Sequence, residues 1–189
     1  MITKTIVINL FGGPGTGKST LAAELFSTLK TRGVNVELVR EYAKEWAWDQ
    51  QPIDDLYKQI YVFGKQLRRE SRLYNKVNVI VTDCPIHLSG FYWEKYGDSD
   101  ALTVAVKDVV KTAKTHNVQH INFFLNRVKP YDPRGRYQSE QEARLLDIKI
   151  SEYLRKEFVE DTYFMLDYQG QHLVDGIITR ATWPLNNEE

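Results

Sequence analysis

The stretch Gly12-Gly13-Pro14-Gly15-Thr16-Gly17-Lys18-Ser19-Thr20 carries the plainest chemical signal in this chain. It fits the pattern G-x-x-x-x-G-K-[ST], the signature of a phosphate-binding loop. Glycines let successive backbone N–H groups turn inward onto phosphate oxygens. The start of a following helix adds partial positive charge. Lys18 would reach the β- and γ-phosphates of a nucleotide, and the Ser19 hydroxyl is a hard oxygen ligand suited to Mg²⁺. Gly13, Pro14, Gly15, Thr16, Gly17, Lys18, Ser19 and Thr20 are the expected contacts for ATP. A chance glycine-rich turn would lack the apolar run before this loop and the helical pattern after it.

Phosphoryl transfer also needs a base for the attacked hydroxyl, an acid that orients the metal, and cations for the transition state. Arg40-Glu41 follows the second apolar run, where open α/β sheets bind ligands. Glu41 could take the hydroxyl proton and Arg40 could hold an anionic acceptor; a surface ion pair opening a helix is the plainer alternative. Asp83 follows the third run and could orient Mg²⁺ together with Ser19, or else cap a helix ahead of Pro85. Residues 127–138 set Arg127, Lys129, Arg134 and Arg136 in a Gly/Pro frame. An arginine-rich lid over the phosphates would look like this, and so would a solvated basic loop. Gln66 and Arg69 share a helix face and could line the acceptor site, with Tyr42 and Trp46 stacking on a base. Core packing or a solvated face competes for each of these four. The histidines show no metal-like spacing, which makes surface or capping positions the expectation, and Cys84 reads as a small buried hydrophobe.

Composition narrows the field. The chain has 189 residues, about one domain's worth. Lys plus Arg and Asp plus Glu are 25 each, so the net charge is zero, and a globally basic nucleic-acid binder is excluded. One cysteine excludes an internal disulfide. No apolar stretch reaches membrane-spanning length, and Met1 to Leu10 lacks signal-peptide anatomy, so a reducing cytoplasm is the expected location. The fourth run ends Leu125-Asn126-Arg127 without an N-K-x-D-type base-reading motif, which argues against a GTPase. Chain size and a single acid at Asp83 argue against a motor or AAA-type ATPase. A small phosphotransferase remains.

The elements that must position these residues alternate along the chain. Strands are expected at 5–10, 34–39, 77–81, 121–125 and 163–166. Helices are expected at 18–32, 54–74, 86–96, 101–115 and 139–158, with a short helix or loop at 42–48 and a last helix after Gln171. Leu21, Leu25 and Leu29 recur four apart on one face of the first helix. Ser139 and Glu142 form a capping-box pattern. The tail 186–189 is polar and expected to fray. Repeated strand–helix alternation predicts one α/β domain with a five-stranded parallel sheet flanked by helices.

Several segments resemble, in the same order, a family of small P-loop kinase-like proteins common in tailed bacteriophages. They are the loop at 11–20, Val36-Glu37-Leu38-Val39-Arg40-Glu41-Tyr42-Ala43-Lys44-Glu45, Gln59-Ile60-Tyr61-Val62-Phe63-Gly64-Lys65-Gln66, Thr82-Asp83-Cys84-Pro85 and residues 129–136. The resemblance spans about residues 4 to 167. More distantly the chain is similar to the nicotinamide-riboside kinase domain of bacterial NAD regulators and to nucleoside and nucleotide kinases. The resemblance implies an ATP- and Mg²⁺-dependent kinase fold, with the host cytoplasm as the setting if the source is a phage. One phage branch phosphorylates 5-hydroxymethyluracil bases in DNA, which makes that the specific expectation. A free nucleoside, nucleotide or nicotinamide riboside is the alternative acceptor, and a non-catalytic ATP-binding switch is a third. Zero net charge departs from a DNA-acting enzyme, because phosphate neutralisation dominates DNA affinity. Lys65, Arg68, Arg69 and Arg72 on one helix, with the lid cations, would have to supply a local track. A homo-oligomer is left open.

Overall fold

Five apolar runs become five parallel strands: β1 (Thr5–Phe11), β2 (Val36–Val39), β3 (Val79–Thr82), β4 (Val118–Asn126) and β5 (Tyr163–Asp167), in the order β2-β3-β1-β4-β5. The structure is a computed structural model that describes residues 4–49, 56–97, 99–128, 130–134, 136, 138–167 and 171–186. β1 lies at the centre, with Ile8 in register with Val81 of β3 and Ile121 of β4. Between and after the strands run α1 (Lys18–Thr31), α2 (Ala43–Trp48), α3 (Leu56–Ser71), α4 (His87–Tyr96), α5 (Ala101–Thr115), α6 (Glu140–Glu157) and α7 (Gln171–Asn186).

The period-2 alternation of β1 divides its side chains between two cores. Ile6, Ile8 and Leu10 pack with Leu21, Leu25 and Leu29 of α1 and with Val174, Ile177 and Ile178 of α7. Phe11 turns to the other face, where Phe91, Val106, Leu146 and Ile150 of α4, α5 and α6 close over it. Full burial of one such side chain contributes about 1.5–3 kcal/mol, so each helix is held mainly by its apolar stripe. Both faces being covered puts the ligand-accessible edge at the carboxyl ends of the strands.

Boundaries differ from expectation where local backbone turns intervene. α3 stops at Ser71, not Tyr74, and the chain turns through Asn75 at φ 56°, which delays β3 to Val79. β4 starts at Val118, three residues early, because Asn117 at φ 60° turns directly out of α5. The expected start of α3 at residue 54 lies outside the described residues. Ser139 caps α6 with the reciprocal Glu142 contacts of a capping box, as its spacing predicts. Asp83 does not cap α4, whose N-cap position is Ile86. α7 runs to Asn186; residues 187–189 lie outside the described set.

The surface expectation for the histidines holds for His116 and fails for His87; the His172 side chain lies outside the described set. His87 is fully buried against Phe11, Phe158 and His120. Burial keeps it neutral, well below its usual titration range. Next to it Asn9 of β1 donates to Asn122 Oδ1 of β4 at 2.8 Å. A polar ladder thus crosses a sheet face that the sequence presents as almost continuously apolar.

Candidate functional site

β1 delivers the chain into the phosphate loop, and α1 begins at Lys18 with its N-terminus at the sheet's carboxyl edge. Gly17 occupies the N-cap position at φ 100°, a left-handed conformation that glycine adopts without strain. Gly13 is needed for a different reason. A Cβ there would stand 2.3 Å from Asp147 Oδ1 and 2.9 Å from the Ala143 carbonyl oxygen. That space belongs to a hydrogen bond from the Gly13 N–H to Asp147 Oδ1, 2.7 Å long. α6 therefore grips the loop directly. Lys18 Nζ donates to the carbonyls of Gly12 and Gly13 at 2.7 and 2.8 Å, and the Thr16 hydroxyl donates to Gly13 O at 3.1 Å.

A cavity of about 250 Å³ opens beside this loop. Gly12, Pro14, Gly15, Gly17, Lys18, Ser19 and Thr20 line it, whereas Gly13 and Thr16 support it from behind. Glu41 and Asp83 line it too, brought together because β2 and β3 are neighbours and end at the same level. The Glu41 N–H donates to Asp83 Oδ1 at 2.9 Å, which locks the two strand ends to each other. Burial pushes the Glu41 carboxyl up, the Lys18 ammonium pulls it back, and Asp83 pushes it up again. Burial lowers Lys18 while Glu41 and Asp83 support its charge. The three groups form one electrostatic unit. Mg²⁺ typically takes one or two carboxylates plus phosphate oxygens and water, not an all-protein cage. Ser19 and Asp83, which both line the cavity, fit that donor set. No cluster of three or more His, Cys, Asp or Glu able to hold a metal occurs among the described residues.

The cavity is also walled by Ala43 and Ala47 of α2, Gln59, Val62 and Gln66 of α3, and Leu88, Tyr92 and Tyr96 of α4. Of the residues expected at the acceptor, Gln66 is there. Arg40, Tyr42, Trp46 and Arg69 are not: they build a cluster outside the cavity. Trp46 and Tyr61 stack with ring centroids 5.8 Å apart, Tyr42 meets Trp46 edge-on and Tyr61 at a tilt, and Arg69 lies 4.8 Å over the Tyr42 ring. Arg69 also pairs with Glu45 at 2.7 Å and donates to the Arg40 carbonyl. Arg40 itself is exposed. Cys84, expected as plain core, lines the cavity half-buried, its thiol kept protonated by burial and then by Glu41 and Asp83. Tyr92 and Tyr96 were absent from the sequence-based candidates; their i, i+4 spacing on a helix leaving the Asp83 turn is the signal that points to them.

The arginines of the expected lid separate into three situations. Arg136 lines the cavity and donates to the Asp132 carbonyl at 2.8 Å. Arg134 is exposed and folded onto Asp132, whose carboxyl it holds down at about 2. Arg127 is 5% exposed and is bound to α6: its Nε donates to Asp147 Oδ2 at 2.8 Å and its Nη2 to the Pro14 carbonyl at 2.7 Å. It braces the phosphate loop from behind and does not line the cavity. Tyr131 lies against the loop, where a Cβ on Gly15 would come within 2.8 Å of its ring. Residues 129, 135 and 137 of this segment lie outside the described set.

A parallel sheet whose central strand feeds a phosphate loop, flanked by helices on both faces, defines a P-loop α/β protein with a nucleotide-kinase-like fold. The family model AAA_28, described as an AAA domain, matches residues 7–163, and the chain belongs to that family. That description runs against the expectation that set aside an AAA-type protein on size and a single acid. Solved structures give the same fold. The NadR protein in complex with NR superposes with a TM-score of 0.70 at 18% identity, over 95% of this chain and 52% of that one. The chain thus spans about half the NadR length. Deoxyadenosine kinase from M. mycoides with bound dATP gives 0.56 at 19% identity, covering 96% of this chain and 99% of that one. Thymidylate kinase from Ehrlichia chaffeensis gives 0.59 at 13%, covering 97% and 99%. No curated protein sequence matches the chain. No helix among the described residues is long and apolar enough to cross a membrane.

Proposed function

We propose that this protein is a kinase that moves the γ-phosphoryl group of ATP to a hydroxyl on a small heterocyclic acceptor. One observation carries the reading: Lys18, Glu41 and Asp83 meet in a single cavity that Val62, Leu88, Tyr92 and Tyr96 also line. The loop amides and Lys18 bind the phosphates. Ser19 and Asp83 would hold Mg²⁺, which supplies positive charge to the phosphate oxygens when bound. Glu41, raised by burial, accepts the hydroxyl proton as the acceptor oxygen attacks the γ-phosphorus. The bond to the β-phosphate bridging oxygen breaks and ADP leaves. Arg136 lies on the wall where it can offset charge on the transferred group. The kinases among the structural neighbours support this reading, as does the NR-bound NadR structure.

A free nucleoside, nucleotide or riboside suits a cavity of this size. The specific alternative, 5-hydroxymethyluracil within DNA, draws support from exposed Lys65 and Arg68 on α3, the helix whose buried face lines the cavity, and exposed Arg72 just past its end. A base in a duplex would have to be flipped in.

The test uses γ-labelled ATP, Mg²⁺ and parallel acceptors: DNA containing 5-hydroxymethyluracil, ordinary DNA, free nucleosides and nucleotides, and nicotinamide riboside. Label on a free acceptor is the expected result. Label confined to the modified DNA, with salt-sensitive binding, selects the DNA reading. ATP hydrolysis or binding with no labelled acceptor refutes the kinase and leaves an ATP-dependent switch. Lys18→Ala should abolish transfer in a folded protein, and near-wild-type transfer by that variant would overturn the loop's role.

A further inference from the structure

α3 has two unlike faces. Gln59, Val62, Gln66 and Glu70 are buried, whereas Tyr61, Gly64, Lys65 and Arg68 are exposed at the i, i+3, i+4, i+7 spacing of one helix face. Exposed Arg72 continues that line one residue past the helix end. In a chain with no net charge, residues 56–76 hold six of the 25 cations and a single acid, Glu70. Glu70 is fully buried and offers no counter-charge at the surface. Lys65, Arg68 and Arg72 have no carboxylate partner among the described residues. They follow one another over about 10 Å of helix at 1.5 Å per residue.

Two further features lie on the same face. Gly64 is absent from the positive-φ glycines, and a Cβ there would meet no atom within 4 Å. Neither backbone conformation nor packing within the chain calls for a glycine, which weakens a helix interior relative to alanine. It leaves the surface low between Tyr61 and Arg68, open to close approach by another molecule. Tyr61 is 49% exposed and stacks on Trp46 at 5.8 Å, with Lys65 Nζ 5.2 Å from its ring. The flexible lysine stem can exchange that ring for a phosphate.

We propose that this face of α3 binds single-stranded nucleic acid without regard to sequence: Lys65, Arg68 and Arg72 take neighbouring phosphates, the strand passes over Gly64, and a base extends the Trp46–Tyr61 stack. Cations in a line beside an exposed aromatic ring are what such a strand recognises. An anionic membrane would need a broad apolar face beside the cations, and α3 turns its buried face to the cavity. None of the proposed contact residues lines the cavity, so the inference goes beyond the kinase reading and does not depend on it.

The experiment follows fluorescence anisotropy of labelled oligo(dT) as salt is raised. Wild type should bind at low salt, and log K against log salt should fall with a slope of about −2, from three phosphates at about −0.7 each. Lys65→Ala/Arg68→Ala/Arg72→Ala should weaken binding by at least ~10-fold and flatten the slope. Tyr61→Ala should weaken it by about 10-fold with the slope unchanged. Gly64→Leu should weaken it while the melting temperature holds or rises. Unfolding curves check that each variant is folded. A wild type that does not bind oligo(dT) at low salt overturns the proposal, and so does a folded triple variant that binds as wild type does. Duplex DNA or phosphatidylserine vesicles bound as tightly as oligo(dT) would reduce the face to a general anion surface and overturn it too. Labelled transfer to a free nucleoside is followed on the same samples and should be equal in wild type and the triple variant. Oligo(dT) binding with no transfer at all would uphold the surface and refute the kinase.

Discussion

Asp147→Ala should be among the most damaging single substitutions in this protein, though Asp147 lies in mid-helix and outside the cavity. Its Oδ2 accepts from Arg127 Nε at 2.8 Å, and its Oδ1 takes the Gly13 N–H at 2.7 Å. Arg127 is 5% exposed, so losing the carboxylate leaves a buried guanidinium with only the Pro14 and Ala143 carbonyls as partners. Breaking one side of a buried ion pair costs about 3–5 kcal/mol. At roughly 2–4 °C per kcal/mol for a chain of this size, the melting temperature should fall by on the order of 10 °C. The assay is a double-mutant cycle by thermal and urea unfolding of wild type, Asp147→Ala, Arg127→Met and the double variant. Removing both charges abolishes the unpaired guanidinium, so the double variant should be more stable than the sum of the singles implies, by about 2 kcal/mol or more. ATP affinity, read by titration, should stay weakened in the double variant, because the Gly13 N–H still lacks its acceptor. A single-variant shift below about 2 °C, or strict additivity, would refute the view that this pair braces the phosphate loop.

The remaining predictions test the carboxylates and the helix packing. Glu41→Gln should cut turnover by about 10²–10⁴-fold with little change in ATP affinity, and the acidic limb of the pH–rate profile should vanish with it. An unchanged turnover would place the base elsewhere. Glu70 is fully buried and burial raises its carboxyl from 4.5 to about 7, although the Tyr74 hydroxyl donating at 2.6 Å pulls the other way. Its contribution to stability is therefore complete below about 4.5 and is lost as pH rises through about 7. Glu70→Gln should remove up to roughly 3 kcal/mol of that slope between pH 5 and 8, measured as the difference between the two proteins' urea-unfolding free energies. Parallel curves would disprove the burial effect. His87 and His120 act in the opposite sense, since burial lowers both, His120 to about 4. Their contribution is full above about 6.5 and declines as pH falls below it. Gly90→Ala would set a Cβ 2.2 Å from the Tyr153 hydroxyl and 2.9 Å from Thr103 Cα, so it should destabilise by about 1–3 kcal/mol. It should also raise the acceptor KM through α4, and a melting curve overlaying wild type would contradict the close packing.

Features written contiguously, or at helical and strand periods, can be read from the residues alone. The phosphate loop is one such feature: eight adjacent residues, with the strand before and the helix after, specify its chemistry. Leu21, Leu25 and Leu29 predict the buried stripe of α1, and Ser139 with Glu142 predicts the start of α6, because both signals lie within a few residues. Glu41 and Asp83 were legible as candidates since strand ends in a parallel sheet face the ligand edge. Their mutual locking depends on β2 and β3 being neighbours, which the strand order decides. Tertiary structure alone decided the rest. Arg127 follows β4 in a basic segment and resembles a lid cation, yet Asp147, twenty residues on and across α6, draws it behind the loop. Arg40, Tyr42, Trp46 and Arg69 have residue types suited to an acceptor site, but their mutual stacking and the pair with Glu45 hold them outside the cavity. Gln66 is one polar residue on an amphipathic helix until the fold buries it and turns its oxygen to the Tyr42 N–H. Asn9, Asn122 and His87 hide in apolar runs for the same reason. Periodicity reports which face a residue occupies, whereas hydrogen-bond partners from distant segments decide what that residue can do.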